Sequence, residues 1–292
     1  MWRQHRGQLL WTAALLAAYG VLMGVVGHSA HQWLANYEHW LAQLRAAGCP
    51  VPSEGNSTII HAPPAACRAL LERYRGGEQG AFASTYNFAI PVFEEALPLV
   101  LVLIGVLVGA PLVAREVEQR SQLVAWTQSI TRRRWYLTKI GVLAAGLALA
   151  GLLAGFANNR LQVPLTRGGL TSSRWPWFFS IDVTPAAEIV LAFALAVAMG
   201  AWLRRTLPAI GAALVSFLAI FLLTGWALRS LTPSRATGQR GAPRSGWDVG
   251  GGQYHPASQY WPLHLTYVAI LLLVAGATFA LGWHATRARN TV

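Results

Sequence analysis

The chain has 292 residues, of which 54% are hydrophobic and only 12% are charged. Soluble domains carry about 25% charged residues, so this composition excludes an ordinary soluble protein and indicates a polytopic membrane protein. The formal net charge is +12, but the cations cluster at the ends of apolar segments without a zinc finger, a basic amphipathic helix or an aromatic RNA-binding motif, which argues against nucleic-acid binding.

A membrane-spanning helix needs roughly 20 mostly apolar residues, because each residue rises about 1.5 Å and the hydrocarbon core is about 30 Å thick. Six stretches meet this requirement, so we predict an all-α polytopic membrane protein with a single transmembrane domain, 1–292. The predicted spans are Leu9–Gly27, Ala96–Ala114, Ile140–Ala157, Ala186–Leu203, Thr206–Leu228 and Trp261–Thr286. The first is predicted to be an anchor, since His28-Ser29-Ala30 is a poor signal-peptidase site.

Arginine and lysine mark the predicted orientation, because they are enriched in short cytoplasmic loops. They are concentrated near the N-terminus, after the second span, at Arg204–Arg205 and in the C-terminal tail. Both termini are therefore predicted to be cytoplasmic, and residues 29–88 form a large extracellular loop between spans one and two.

This loop contains an apolar helical face and both cysteines of the chain, Cys49 and Cys67. The apolar residues recur at helical spacing, at Trp33, Leu34, Tyr37, Trp40, Leu41 and Leu44, and a second short helix is predicted near Ala65–Tyr74. Because disulfides persist outside the cell, we predict a Cys49–Cys67 bond worth roughly 3 kcal/mol in the chain-entropy model. The alternative is two unpaired thiols. The third outer loop, 229–260, is rich in Gly, Pro and Ser and is predicted to lack order.

The cytoplasmic segment between spans two and three is the most informative part of the sequence. Span two continues into the charged run Arg115-Glu116-Val117-Glu118, and an apolar stripe follows at Leu123, Val124, Trp126, Thr127 and Ile130. This pattern indicates an amphipathic docking element close to the membrane. A basic loop that binds anionic lipid headgroups is the alternative; it explains Arg132–Arg134, but not the acids or the tryptophan.

In Gly109–Glu118 and Leu123–Lys139, the sequence resembles the ABC-2 type permease family, particularly actinobacterial ABC exporter membrane subunits. The matching runs read GAPLVAREVE and LVAWTQSITRRRWYLTK, with a departure at Gln119-Arg120-Ser121. The resemblance implies a type V exporter-like permease fold in which 115–139 is a coupling segment that docks on a cytoplasmic ATPase subunit. The residues it implies in that contact are Arg115, Glu116, Glu118, Trp126, Thr127, Gln128 and Ser129.

The ATP chemistry is expected in a partner subunit. A Walker A motif needs a lysine after its glycine-rich loop, and the single lysine here, Lys139, follows no such loop. The resemblance implies that ATP and Mg²⁺ bind the partner, that two permeases assemble with two ATPase subunits, and that the complex is an exporter in the bacterial plasma membrane. The alternative is a non-transporting membrane sensor that detects an extracellular peptide or antibiotic.

Four acids lie near predicted outer ends of spans, namely Glu94, Glu95, Asp182 and Glu188. Ionisable groups at membrane depth often mark substrate pathways, so these residues are candidates for attracting a cationic or amphipathic substrate. Ordinary interfacial placement is the alternative. No catalytic residue and no metal site is predicted. Glycine pairs at Gly20/Gly24, Gly105/Gly109 and Gly151/Gly155 have the spacing that permits close helix packing or a homodimer contact.

Overall fold

The computed structural model describes residues 2–49, 65–76, 98–115, 132–167, 181–236, 247–250 and 253–288. These residues contain seven α-helices and one small sheet. The helices are α1 Trp2–Ala46, α2 Ala65–Gly76, α3 Pro98–Arg115, α4 Arg132–Arg167, α5 Thr184–Leu203, α6 Thr206–Leu231 and α7 Tyr260–Ala288. The strands are β1 Arg235–Ala236, β2 Trp247–Gly250 and β3 Gln253–His255, and a 3₁₀ turn at Ala257–Gln259 leads into α7.

Five of these helices are long and apolar enough to cross a membrane. The apolar stretches are Pro98–Arg115, Leu137–Pro164, Thr184–Leu203, Thr206–Leu231 and Tyr260–Ala285, and they correspond to the second to sixth predicted spans. The first predicted span, Leu9–Gly27, lies within α1. Several of its side chains fall outside the described part of the chain, so that span stays a prediction.

Helix α1 is 45 residues long and continues well past the predicted end of the first span. The predicted outer segment therefore starts as a continuation of α1 up to Ala46, because no Pro or Gly interrupts the helix there. The helical face predicted over Trp33–Leu44 is part of this helix, and its placement outside the membrane stays a prediction. The helix ends in a Schellman motif. Gly48 adopts φ +66°, its N–H donates to Arg45 O at 3.1 Å, and the Cys49 N–H donates to Leu44 O at 2.9 Å.

The end of α1 is joined to α2 by the predicted disulfide. Cys49 and Cys67 are bonded, with their Cα atoms 5.7 Å apart. Both cysteines and Leu44 are buried in a small apolar cluster with Trp40 and partly buried neighbours. The Trp40 indole N–H also donates to Leu70 O at 3.2 Å. The apolar face predicted on this segment thus covers the disulfide and anchors α2.

Helix α5 is the centre of the bundle, and nearly all of its residues are buried. Helices α3 and α4 approach it at glycines. A Cβ added at Gly105 would lie 2.8 Å from Ile189 O, and one at Gly109 would lie 2.8 Å from Phe193 O. On α4, a Cβ at Gly155 would collide with the Asp182 carbonyl. Two of the three glycine pairs in the sequence are therefore contacts within the chain, whereas Gly20 and Gly24 face open space.

Helix α6 lies at the edge of the bundle and exposes large apolar side chains, including Leu207, Val215 and Trp226. After it, the predicted lack of order in the third outer loop is wrong for the residues that the structure describes. An antiparallel sheet of order β1-β3-β2 forms there. Two polar side chains of β3 form hydrogen bonds with residues next to the sheet. Ser234 Oγ donates to Gln253 Oε1 at 2.8 Å, and Nδ1 of the buried His255 lies 3.2 Å from Gln259 Oε1.

Replacing Gly109 with leucine is expected to destabilise the bundle, because the new side chain would meet the backbone of α5 and the helices would have to separate. Overpacking of this kind costs roughly 1–3 kcal/mol. The matched control is Gly20→Leu, where nothing lies within 4 Å of an added Cβ. Thermal unfolding of both variants in detergent measures the effect. Equal melting temperatures for the two variants would contradict the packing described above.

Candidate functional site

Polar side chains from α5 and α7 face each other at one end of the bundle. We call this set the polar seam. It consists of three pairs, Asp182 with Tyr260, Thr184 with His264, and Glu188 with Tyr267. From Ile189 to Leu203, in contrast, α5 carries no charged side chain. The seam is thus a localised polar contact in an otherwise apolar helix pair.

The spacing of the residues explains why the three pairs line up. Tyr260, His264 and Tyr267 follow each other at intervals of four and three residues, and such residues share one face of a helix. Thr184 and Glu188 are likewise four residues apart on α5. Since the partners advance in the same direction along both helices, α5 and α7 run parallel to each other here, and both begin at the same end of the bundle.

The first pair also involves α4. The Tyr260 hydroxyl donates to Asp182 Oδ2, and the Asn159 amide donates to Asp182 Oδ1 at 2.9 Å. Asp182 adopts φ +54° just before α5 begins, a left-handed conformation that aspartate tolerates better than most residues. Its carbonyl packs directly against Gly155 of α4. The carboxylate therefore fixes the start of α5 between two neighbouring helices.

The second and third pairs are completely buried. Thr184, Glu188, His264 and Tyr267 are each 0% exposed. Thr184 Oγ1 lies 2.9 Å from His264 Nε2, and the Tyr267 hydroxyl donates to Glu188 Oε1 at 3.0 Å. The other carboxyl oxygen, Glu188 Oε2, is buried without a hydrogen-bond partner in the described part of the chain.

A buried carboxyl group with one unsatisfied oxygen is costly, because removing a polar group from water without a compensating hydrogen bond costs roughly 1–3 kcal/mol in proteins. Ionisable side chains within spanning helices are rare for this reason and are commonly functional. Because it is 0% exposed and one of its carboxyl oxygens has no partner among the described residues, Glu188 is the strongest candidate for a functional side chain among them.

The sequence identified only part of this site. Asp182 and Glu188 were predicted substrate-pathway residues, and the structure places both of them in the seam, without showing that a substrate passes there. Glu94 and Glu95 lie outside the described residues. The sequence analysis missed Asn159, Thr184 and the three partners on α7. The spacing of Tyr260, His264 and Tyr267 along the last apolar stretch was the available signal, but only the fold shows which helix they face.

Most of the predicted coupling segment lies outside the described residues. Its two ends are described: Arg115 is the exposed last residue of α3, and residues 132–139 form the beginning of α4. The remaining residues predicted to contact an ATPase, Glu116, Glu118, Trp126, Thr127, Gln128 and Ser129, are not among those described. Their roles stay predictions.

Replacing Tyr267 with phenylalanine is expected to lower stability by about 1–3 kcal/mol, since a buried carboxyl group loses the hydroxyl that donates to Oε1. The control is Thr278→Val on the same helix, whose hydroxyl donates at 2.6 Å to Val274 O of its own turn. Thermal unfolding in lipid nanodiscs compares the two variants. A Tyr267→Phe protein as stable as the Thr278→Val protein would show that the third pair contributes little.

Comparison with known proteins places this architecture in a family. Residues 13–229 match the family model described as ABC-2 membrane transporter related. The match includes most of the chain from α1 to α6 and ends before α7. Neither the curated proteins nor the solved structures contain a match. Because the family match covers well over half of the 292 residues, the chain belongs to the ABC-2 membrane transporter related family.

Proposed function

We propose that the chain is the membrane-spanning permease subunit of an ABC transporter that exports a small molecule, peptide or lipid-like substrate with ATP hydrolysed by a separate subunit. The observation that carries this proposal is the family match over most of the helical bundle. Membership of the family makes the chain a multi-pass membrane protein and implies an ABC ATPase partner. The direction of transport, the substrate and the partner's identity belong to the proposal.

We propose six spans with both termini in the cytoplasm of a bacterial cell. Contacts within the bundle support this topology. Ala30 and Met23 of α1 cluster with Leu161 of α4, so the disulfide-linked continuation of α1 leaves the bundle at the end where α4 finishes and α5 begins. The exposed Arg204 and Arg205 lie at the opposite end, between α5 and α6. The positive-inside rule assigns this arginine end to the cytoplasm.

The coupling role of residues 115–139 rests on their position in this topology. The segment begins at the exposed Arg115, the last residue of α3. Its last residues, 132–139, form the beginning of α4. Both helices pack on α5 through glycines, so a displacement of the segment would be transmitted to the centre of the bundle. In this proposal Glu116 and Glu118 contact the ATPase and act mechanically. ATP and Mg²⁺ bind the partner, and a second permease copy completes a 2+2 assembly in the lipid bilayer.

Charge reversal in the coupling segment is expected to reduce assembly with the ATPase. When an affinity-tagged Glu116→Lys/Glu118→Lys chain is co-expressed with its ABC ATPase subunit, several-fold less ATPase should co-purify than with the wild-type chain. The matched control is Glu38→Lys/Glu72→Lys, which changes two exposed acids on the predicted outer side by the same charge. Loss of the ATPase in both variants, or in neither, would refute the docking site.

A sensor that signals without transport is the second candidate function. The long α1 and the disulfide-bonded α2 favour it, because they form an ordered unit at the predicted outer face to which a peptide or antibiotic could bind. Inverted membrane vesicles that contain the chain and its ATPase distinguish the two functions. A transporter is expected to accumulate at least one member of a panel of cationic, neutral and anionic amphiphiles when ATP is supplied, whereas a sensor should accumulate none.

A further inference from the structure

The polar seam leads from a partly exposed acid to a completely buried one. Asp182 and Tyr260 of the first pair are partly buried, whereas Glu188 and Tyr267 of the third pair are 0% exposed. Between Tyr260 and Tyr267, α7 advances by seven residues, which is about 10 Å along a helix. Hydrogen-bonding groups therefore continue inward from the end of the bundle to Glu188, where they stop.

Two members of the seam, Asp182 and Glu188, are acids. In the described part of the chain, the hydrogen bonds of their carboxyl groups come from tyrosine hydroxyls and the Asn159 amide. These neutral donors satisfy both oxygens of Asp182 but only one oxygen of Glu188. The free lone pairs of Glu188 Oε2 are suited to a donor that also carries positive charge, because charge-assisted hydrogen bonds are roughly twice as strong as neutral ones.

The geometry favours one chemical class of donor. Guanidinium groups prefer both oxygens of a carboxylate, and Glu188 Oε1 already accepts from Tyr267. Divalent metal ions need several oxygen or nitrogen ligands, and the described residues contain no group of three or more suitable side chains. A primary ammonium needs one acceptor oxygen, and its alkyl chain is compatible with the apolar side chains next to Glu188 between α5 and α7, such as Leu191, Leu263 and Leu271.

We propose that Glu188, positioned by Tyr267, binds the primary ammonium group of an alkylamine-type amphiphile, and that this is the substrate class of the permease. The ammonium N–H donates to Glu188 Oε2, and the ligand reaches it when α5 and α7 separate along the seam. This inference rests on the proposed function for its biological meaning. The binding site itself depends only on residues of this chain.

The test is saturable binding of radiolabelled octylamine to the full chain in phosphatidylcholine nanodiscs, with empty nanodiscs as the baseline. Glu188→Gln keeps the size of the side chain and removes its ability to carry a negative charge. It should weaken binding by at least about tenfold, as expected for the loss of one charge-assisted hydrogen bond. Thr278→Val, which alters a polar side chain elsewhere on α7, should bind like wild type.

The wild-type chain provides a second measurement that needs no mutation. Octyltrimethylammonium has the charge without an N–H donor, and octanol has a donor without the charge, so each should bind at least about tenfold more weakly than octylamine. The inference is overturned by wild-type affinity in Glu188→Gln, by equal binding of octanol and octylamine, or by the absence of saturable octylamine binding to the wild-type chain.

These results separate the inference from the proposed function. Octylamine binding that depends on Glu188, in a chain that assembles with no ATPase, would support the site and refute the permease. Assembly with an ATPase that depends on Glu116 and Glu118, without octylamine binding, would support the permease and refute the ammonium site.

Discussion

The structure depends on the close approach of α3 and α4 to α5. In a bilayer, lipid chains are as apolar as the helix surfaces, so association relies on van der Waals contact and hydrogen bonds between helices. At Gly105 and Gly109, α3 lies so close to α5 that even a methyl group would collide with the α5 backbone. At Gly155, α4 lies equally close to Asp182, just before α5 begins. Because α5 is enclosed on several sides, side chains at its beginning are removed from lipid and water, and this enclosure makes a buried carboxyl group at Glu188 possible.

The polar seam adds hydrogen bonds to this close packing of helices. Asp182 receives hydrogen bonds from α4 and α7 while its carbonyl rests on Gly155, so one residue links three helices at the end of the bundle. Deeper in the seam, the described residues provide Glu188 with a single hydrogen-bond donor, the Tyr267 hydroxyl. A fully satisfied site would be expected of a purely structural contact. The incomplete one at Glu188 is the reason that we propose a ligand there.

The unit formed by the end of α1 and by α2 is held together by local contacts. Helix α1 continues without a break to a Schellman motif, and the disulfide follows immediately at Cys49. Part of the apolar face of that segment, Trp40, Leu41 and Leu44, packs around the disulfide. The disulfide, the apolar cluster and the Trp40 hydrogen bond to Leu70 O together hold α2 against the end of α1.

Hydropathy, charge and cysteine placement were sufficient to predict the helical class, the positions of five spans and the disulfide, because these features depend on local composition and on the bilayer. The resemblance at Gly109–Lys139 was sufficient for the family. The sequence did not show that α1 continues to Ala46 or that a small sheet precedes α7, since both depend on local backbone pairing that composition does not reveal. Only the tertiary structure showed that Glu188 faces Tyr267, because residues 79 positions apart meet through the packing of two whole helices, which no local pattern encodes.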